Sequence, residues 1–204
     1  MNQDPRNLNK TFSVDSIQSY LKDYVTNLQQ VLAKVDAGQF EKVLAKLTEV
    51  TAAGKKIYVC GNGGSSAIAD HLCCDWSKGT HFQGLPTLKT ESLTANTALF
   101  TACANDFGYE KSFSTQVEMF GGRGDVLLAI SSSGNSPNIL SAVSAAREKG
   151  MTSIGMCGFS GGKLKTSADL CLHIAFDNYG LVEDAHQILM HVLAQYFTLG
   201  RAPK

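Results

Sequence analysis

Twice in this chain a short apolar run passes directly into a turn of small residues and then into a helical pattern. Lys56-Ile-Tyr-Val-Cys60 is followed by Gly61-Asn-Gly-Gly-Ser-Ser66, and Asp125-Val-Leu-Leu-Ala-Ile130 by Ser131-Ser-Ser-Gly-Asn-Ser136. The pattern predicts a helix from about Ala67 to Trp76 after the first turn. After the second it predicts one from about Asn138 to Lys149, with Pro137 suited to its first turn. Two further runs, Thr152 to Cys157 and Leu170 to Ala175, read as buried strands, and Gly158-Phe-Ser-Gly-Gly162 closes the first of them. A long last helix is expected from about Leu181 to Leu199. Strands that alternate with helices and carry almost continuous apolar residues imply an α/β protein, its parallel β-sheet sandwiched by helices.

Two helices are expected before the first strand. Ile17, Leu21, Val25, Leu28, Val31, Leu32 and Val35 recur at three- and four-residue steps, predicting an amphipathic helix over Val14 to Val35. Phe40, Val43, Leu44, Leu47 and Val50 do the same over about Gln39 to Ala53, with Gly54 as the stop. A small sheet cannot absorb both helices, so part of this surface is expected to pack against another subunit. The 204 residues, with no linker, repeat or low-complexity tract, read as one domain over 1–204. It comprises an N-terminal helical extension over about 13–54 and an α/β core over about 55–200.

Lys plus Arg and Asp plus Glu are 18 each, so there is no excess positive charge for a nucleic-acid surface. Any phosphate must be recognised by a local site. Met1 to Lys10 is polar, without the apolar core of a signal peptide, and no stretch approaches the roughly 20 apolar residues of a membrane span. A cytoplasmic location follows as the expectation, with neither membrane nor nucleic acid as partner. The six cysteines lie in apolar segments without a CxxC pair and are expected to be small buried hydrophobes.

Ligands of parallel sheets bind beyond the carboxyl ends of the strands, where both turns fall. Gly61, Gly63 and Gly64 let backbone N–H groups approach an anion, and the helix start behind them adds free donors. Ser131, Ser132, Ser133 and Ser136 place hydroxyls in the second turn. A Gly-rich turn alone is more often only a tight connection, and serines cap helices for local reasons. Two such turns at equivalent strand ends point to phosphate. Neither is a dinucleotide fingerprint or a triphosphate loop, since no GxGxxG or GK[ST] is present.

His71 and Asp75, four residues apart, share one helix face, and Glu183, His186 and His191 lie in the apolar last helix. Imidazole and carboxylate together suit zinc or another divalent first-row metal. Glu183 and His191 are separated by roughly 12 Å of helix rise, so Glu183 with His186 is the easier pair on length alone. His186 reads equally well as a hydrogen-bonded core residue, and His81 and His173 as structural. Asp184 reads as a solvated residue, and Asp177-Asn178 as a cap of the last helix.

With these motifs in place the chain resembles the sugar isomerase (SIS) domain family, and within it the phosphoheptose isomerase group. The resemblance runs from the N-terminal helices to about Tyr196. It rests on Gly61-Asn-Gly-Gly-Ser65, Ala104-Asn-Asp-Phe-Gly108, Gly124-Asp-Val-Leu-Leu128, Ser131 to Ser136, Ala145 to Met151 and Glu183 to His191. It implies a flavodoxin-like three-layer fold, a homotetramer and a sugar-phosphate substrate. It further implies isomerisation of sedoheptulose 7-phosphate to a glycero-manno-heptose 7-phosphate. By resemblance, Asn62, Gly63, Gly64, Ser65, Asp75, Asn105, Asp106, Ser131, Ser132, Ser133, Ser136 and Glu183 contact substrate. His71, Asp75, Glu183 and His191 match zinc ligands, with one Zn2+ per subunit, so that His191 rather than His186 is the ligand implied. Asp75 stands where the family usually has Glu, Glu183 where it has Gln, and Gly79 where it often has Arg.

The chemistry implied is proton transfer through an enediol, with Asp75 as base and His191 as acid. Two other readings compete: a binding module of the same fold that holds a replication-initiator protein, and a sugar-phosphate sensor. The first kind lacks the full ligand set, whereas all four positions here can coordinate; the second would need the turns but no metal or acid–base pair.

Overall fold

The computed structural model describes residues 12–82 and 84–200; Met1 to Lys10, read above as polar and without a signal-peptide core, lies outside the described residues. Helices α1 (Ile17–Leu32) and α2 (Ala37–Ala52) precede strand β1 (Lys56–Gly61) and helix α3 (Gly64–Gly79). Then come β2 (Lys89–Ser92), α4 (Thr97–Phe107), a 3-10 turn at Tyr109–Lys111 and α5 (Ser114–Phe120). The chain continues through β3 (Val126–Ser131), α6 (Pro137–Glu148), β4 (Thr152–Cys157), α7 (Leu164–Ser167), β5 (Leu170–His173) and α8 (Tyr179–Leu199).

All strand pairs are parallel, in the order β2-β1-β3-β4-β5. From β1 the chain first moves outward to β2 and then returns to the other side as β3. The β1/β3 boundary is therefore the topological switch point, and both small-residue turns leave the sheet there. Side chains alternate across each strand. Ile57, Val59, Val126, Leu128, Ile130, Ile154, Met156 and Leu172 face α2, α3 and α8 in one core layer. Tyr58, Cys60, Leu127, Ala129 and Cys157 face α5, α6 and α7 in the other. The three-layer α/β expectation holds.

Local capping accounts for the helix starts. Ser16 and Ser19 form a reciprocal capping box on α1, while Asp36, Asn96 and Asn178 side chains cap α2, α4 and α8. Gly54, at φ +65°, follows the end of α2, as its position suggested. Four strands were expected and five are present among the described residues. The additional strand, β2, is the edge sequence Lys-Thr-Glu-Ser, whose polar residues carry no apolar alternation. Cys74 is exposed, against the expectation of burial, because it points away from the core on α3.

His186 is a core residue, fully buried, but neither ring nitrogen has a hydrogen-bond partner in bonding geometry. Burial pushes its imidazole down to about 4, with the Cys157 backbone opposing weakly and His173 adding to the depression. The unfolded chain takes up this proton near 6.5, so between 6.5 and 4 it binds more protons than the folded one. Stability therefore rises with pH in that window and is lost as pH falls through it, by roughly 3 kcal/mol for this group. In H186L the fall in unfolding free energy over the same window, measured by urea titration, is expected to be shallower by about 3 kcal/mol. Equal acid limbs would contradict this.

Candidate active site

The first turn places Asn62 to Ser65 over the end of β1. Gly63, at φ +55°, turns the backbone into α3, and Ser65 and Ser66 donate their N–H groups back to Asn62 O and Gly63 O at 3.0 Å. A side chain at Gly64 would overlap the Glu183 carboxylate, so α8 approaches the start of α3 at the closest distance glycine permits. In the second turn Gly134 sits at φ +65° against the Gly161 carbonyl, and Ser131 Oγ lies 3.1 Å from Ser136 Oγ. The segment after β4 braces this turn: Gly158 N donates to Ser132 O at 2.8 Å and Leu164 N to Gly134 O at 2.9 Å.

Between the two turns lies a cleft of about 160 Å³ lined by Asn62, Ser65, Ser131, Ser132, Ser133, Ser136, Tyr179 and Glu183. The Ser132 hydroxyl is buried and has no partner. A buried orphan donor costs about 1–3 kcal/mol, which a bound anion would recover. No lysine or arginine lines the cleft, so an anion there is met by neutral donors and the start of α3, with the Glu183 carboxyl on the same wall. Phe159, a bulky residue at φ +50°, sets its ring 4.8 Å from that of Tyr179 on the cleft wall, the two planes tilted by 57°.

Asn62 spends its side chain within the protein. It exchanges two amide hydrogen bonds with Asn138, at 2.8 and 2.9 Å, and accepts one from the Tyr109 hydroxyl at 3.0 Å. Its available contribution to a ligand is backbone. Tyr109 thereby ties the segment after α4 to the first turn, although no spacing in the sequence marks that partnership. Asn105 and Asp106, at the end of α4, are exposed, bonded to one another at 2.8 Å, and do not line the cleft within one chain.

The α3–α8 seam carries the titratable cluster. His71 Nε2 lies 3.2 Å and His191 Nε2 3.1 Å from the same Asp75 oxygen, Oδ2, and the two imidazoles meet edge to face at 5.1 Å. His71, Asp75 and His191 are the three-donor group in which ligand atoms all lie within 4.8 Å of one another. Glu183 is not part of that group. It sits two turns back along α8, in the serine cleft, where burial and then Asp184 raise its carboxyl above the ordinary range. Asp184, expected only to be solvated, accepts the Tyr24 hydroxyl at 2.7 Å and ties α1 to α8.

Gln187 is the seam residue that sequence reading missed. Its amide hydrogen-bonds His71 Nδ1. Its spacing, four from Glu183 and four from His191, puts all three on one face of α8, a signal that becomes legible once α3 is known to be its neighbour.

Tight zinc donors lie about 2.0–2.2 Å from the ion, which places tetrahedral neighbours roughly 3.4 Å apart. The 3.1 and 3.2 Å separations of the imidazole nitrogens from Asp75 fit such an ion. The fold and this two-part site define a sugar-phosphate-handling α/β protein, and the SIS domain pattern matches residues 19–158. The chain belongs to the SIS domain family. Among curated relatives, the phosphoheptose isomerase of Burkholderia pseudomallei (strain 1710b) is 37% identical over 182 residues, covering 86% of this chain and 91% of that one. The phosphoheptose isomerase of Rhodospirillum rubrum is 43% identical over 141 residues, covering 69% and 74%. A solved phosphoheptose isomerase from Francisella tularensis superimposes with a TM-score of 0.83 at 30% identity, over 91% of this chain and 98% of that one.

Proposed function

We propose that the protein is a phosphoheptose isomerase, interconverting sedoheptulose 7-phosphate and glycero-manno-heptose 7-phosphate. The observation that carries this reading is the shared seam: an anion cleft at the start of α3 and an acid–base cluster further along the same α3–α8 contact. A phosphate at one end of the sugar and a carbonyl at the other match that separation in kind. Backbone of the Asn62-Gly63-Gly64-Ser65 turn and the Ser131, Ser132, Ser133 and Ser136 hydroxyls hold the phosphate. Asn105 and Asp106 are assigned to the sugar by resemblance.

Asp75 removes the proton beside the carbonyl, and His191, whose Nε2 lies 3.1 Å from Asp75 Oδ2, returns protons to the two oxygens in turn. Passing both oxygens through one enediol requires the acid and base to sit side by side, which Asp75 and His191 do. Zinc, held by His71, Asp75 and His191, would supply polarisation of the carbonyl when bound; Glu183, a ligand position by resemblance, lies outside this three-donor group in the single chain. As placed, the Gln187 amide nitrogen donates to His71 Nδ1; turning the amide over would let its oxygen accept Nδ1–H and leave the His71 Nε2 lone pair for the ion. Q187A is expected to weaken zinc binding by about 10–100-fold in a competition with a chromophoric chelator. Unchanged affinity would remove Gln187 from the site.

We assign the protein to the cytoplasm and to a homotetramer. Ile17, Leu21 and Val25, the apolar stripe of α1, remain exposed in the single chain, which supports assembly through the N-terminal helices. Metal analysis of purified protein beside a sedoheptulose 7-phosphate conversion assay tests the function. Stoichiometric zinc with turnover is expected. Binding of the sugar without conversion would instead make the chain a sensor or binding module.

A further inference from the structure

The face of the sheet away from the α3–α8 seam holds two thiols in contact. Cys157, at the end of β4, and Cys171, on β5, have their sulfurs 3.3 Å apart. In the β4/β5 register Cys171 lies opposite Gly155, and Cys157 opposite His173, so the two cysteines are diagonal neighbours on one face. Gly155 presents no side chain beside Cys171, which leaves the thiol room to lean toward Cys157. Closing the gap to a bond of about 2.05 Å asks each sulfur to move by about 0.6 Å.

The pair is also chemically unequal. Cys157 is fully buried. Cys171 is half-buried and lines a surface cleft of about 310 Å³ with Lys165, Asp169 and His173. The hydrogen bond from the Cys157 thiol pulls the Cys171 thiol down; burial opposes this and Lys165 reinforces it. The same bond, together with burial, pushes Cys157 up. Elsewhere burial holds Cys60 and Cys73 up at about 12, which keeps both in the unreactive thiol form. One sulfur of the contact pair thus reaches a surface cleft and is the more readily ionised of the two, and the other lies behind it.

We propose that Cys157 and Cys171 are a reversible oxidation site, forming an intramolecular disulfide when the protein meets hydrogen peroxide. The Cys171 thiolate attacks one peroxide oxygen, breaking the O–O bond; the departing hydroxide takes up a proton and leaves as water. The Cys157 sulfur then attacks the Cys171 sulfenic sulfur, losing its proton and expelling the second oxygen as water. Two thiols and one peroxide give one disulfide and two waters. The bond closes a loop that contains Gly158 and Leu164, whose N–H groups brace the serine turn. Oxidation therefore clips the segment behind the anion cleft without touching a residue of the α3–α8 cluster.

The test uses the full chain, reduced and then exposed to hydrogen peroxide, with free thiols alkylated before digestion and the peptides mapped by mass spectrometry. A Cys157–Cys171 linkage lighter by two hydrogens is expected, reversed by dithiothreitol. It should be absent from C171S and retained in C74S. Both thiols remaining alkylatable, a sulfinic acid at Cys171 without a linkage, or cross-linking through Cys74 in place of this pair would overturn the proposal.

Discussion

Replacing His191 with alanine is expected to lower kcat by about 10²–10⁴-fold, the usual contribution of a positioned acid–base group. The melting midpoint should scarcely move. His191 is partly exposed, at 36% of its side-chain surface, and contributes a polar contact with Asp75 and an edge contact to His71 rather than core area. Loss of such a group removes little stability, yet it leaves the base without the partner that returns the proton. Sugar binding should survive, because the cleft that holds the phosphate is built by other residues. Steady-state kinetics beside a thermal melt check both halves. A variant that loses kcat only in proportion to its folded fraction would show that His191 is structural.

The second large effect falls on the contact that makes the cluster possible. Trp76 is fully buried and is among the largest side chains of the α3–α8 core layer, and its indole N–H donates to Met190 O at 2.9 Å. Asp75 precedes it and His191 follows Met190, so this one bond fixes the depth at which the two functional residues meet. W76A is expected to cost about 3–5 kcal/mol, the range for deleting a large buried aromatic side chain. W76F retains most of the apolar area and loses chiefly the hydrogen bond, so it should lose about 1 kcal/mol. Urea denaturation followed by far-UV circular dichroism gives both numbers. If W76A unfolds at the wild-type midpoint, the two helices are held together by something other than this pair.

Much of this arrangement was readable because the informative residues obey local rules. The small-residue turns announce themselves by composition, Pro137 and Gly54 mark helix ends, and His71 and Asp75 share a face by spacing alone. Strand β2 was not readable, since an edge strand can be stable with polar residues on both faces when one side of its backbone is paired. Gln187 and Tyr109 were missed for a different reason. Each acts on a residue far off in sequence, His71 and Asn62, and no local pattern encodes a partner 116 or 47 positions away. Glu183 shows the limit of spacing arguments in the opposite sense. Eight residues of helix separate it from His191, and in the folded chain it faces the serines while His191 faces Asp75.

The whole account rests on α3 and α8 meeting so that Asp75 and His191 can move a proton between neighbouring carbons of a bound sugar. Turnover of sedoheptulose 7-phosphate in deuterium oxide, followed by NMR of the aldose, tests that most directly. Deuterium entering at carbon 2 with wild-type protein, and no turnover with D75N, is the predicted result. Conversion by D75N at the wild-type rate, or an aldose carrying no solvent deuterium, would contradict it.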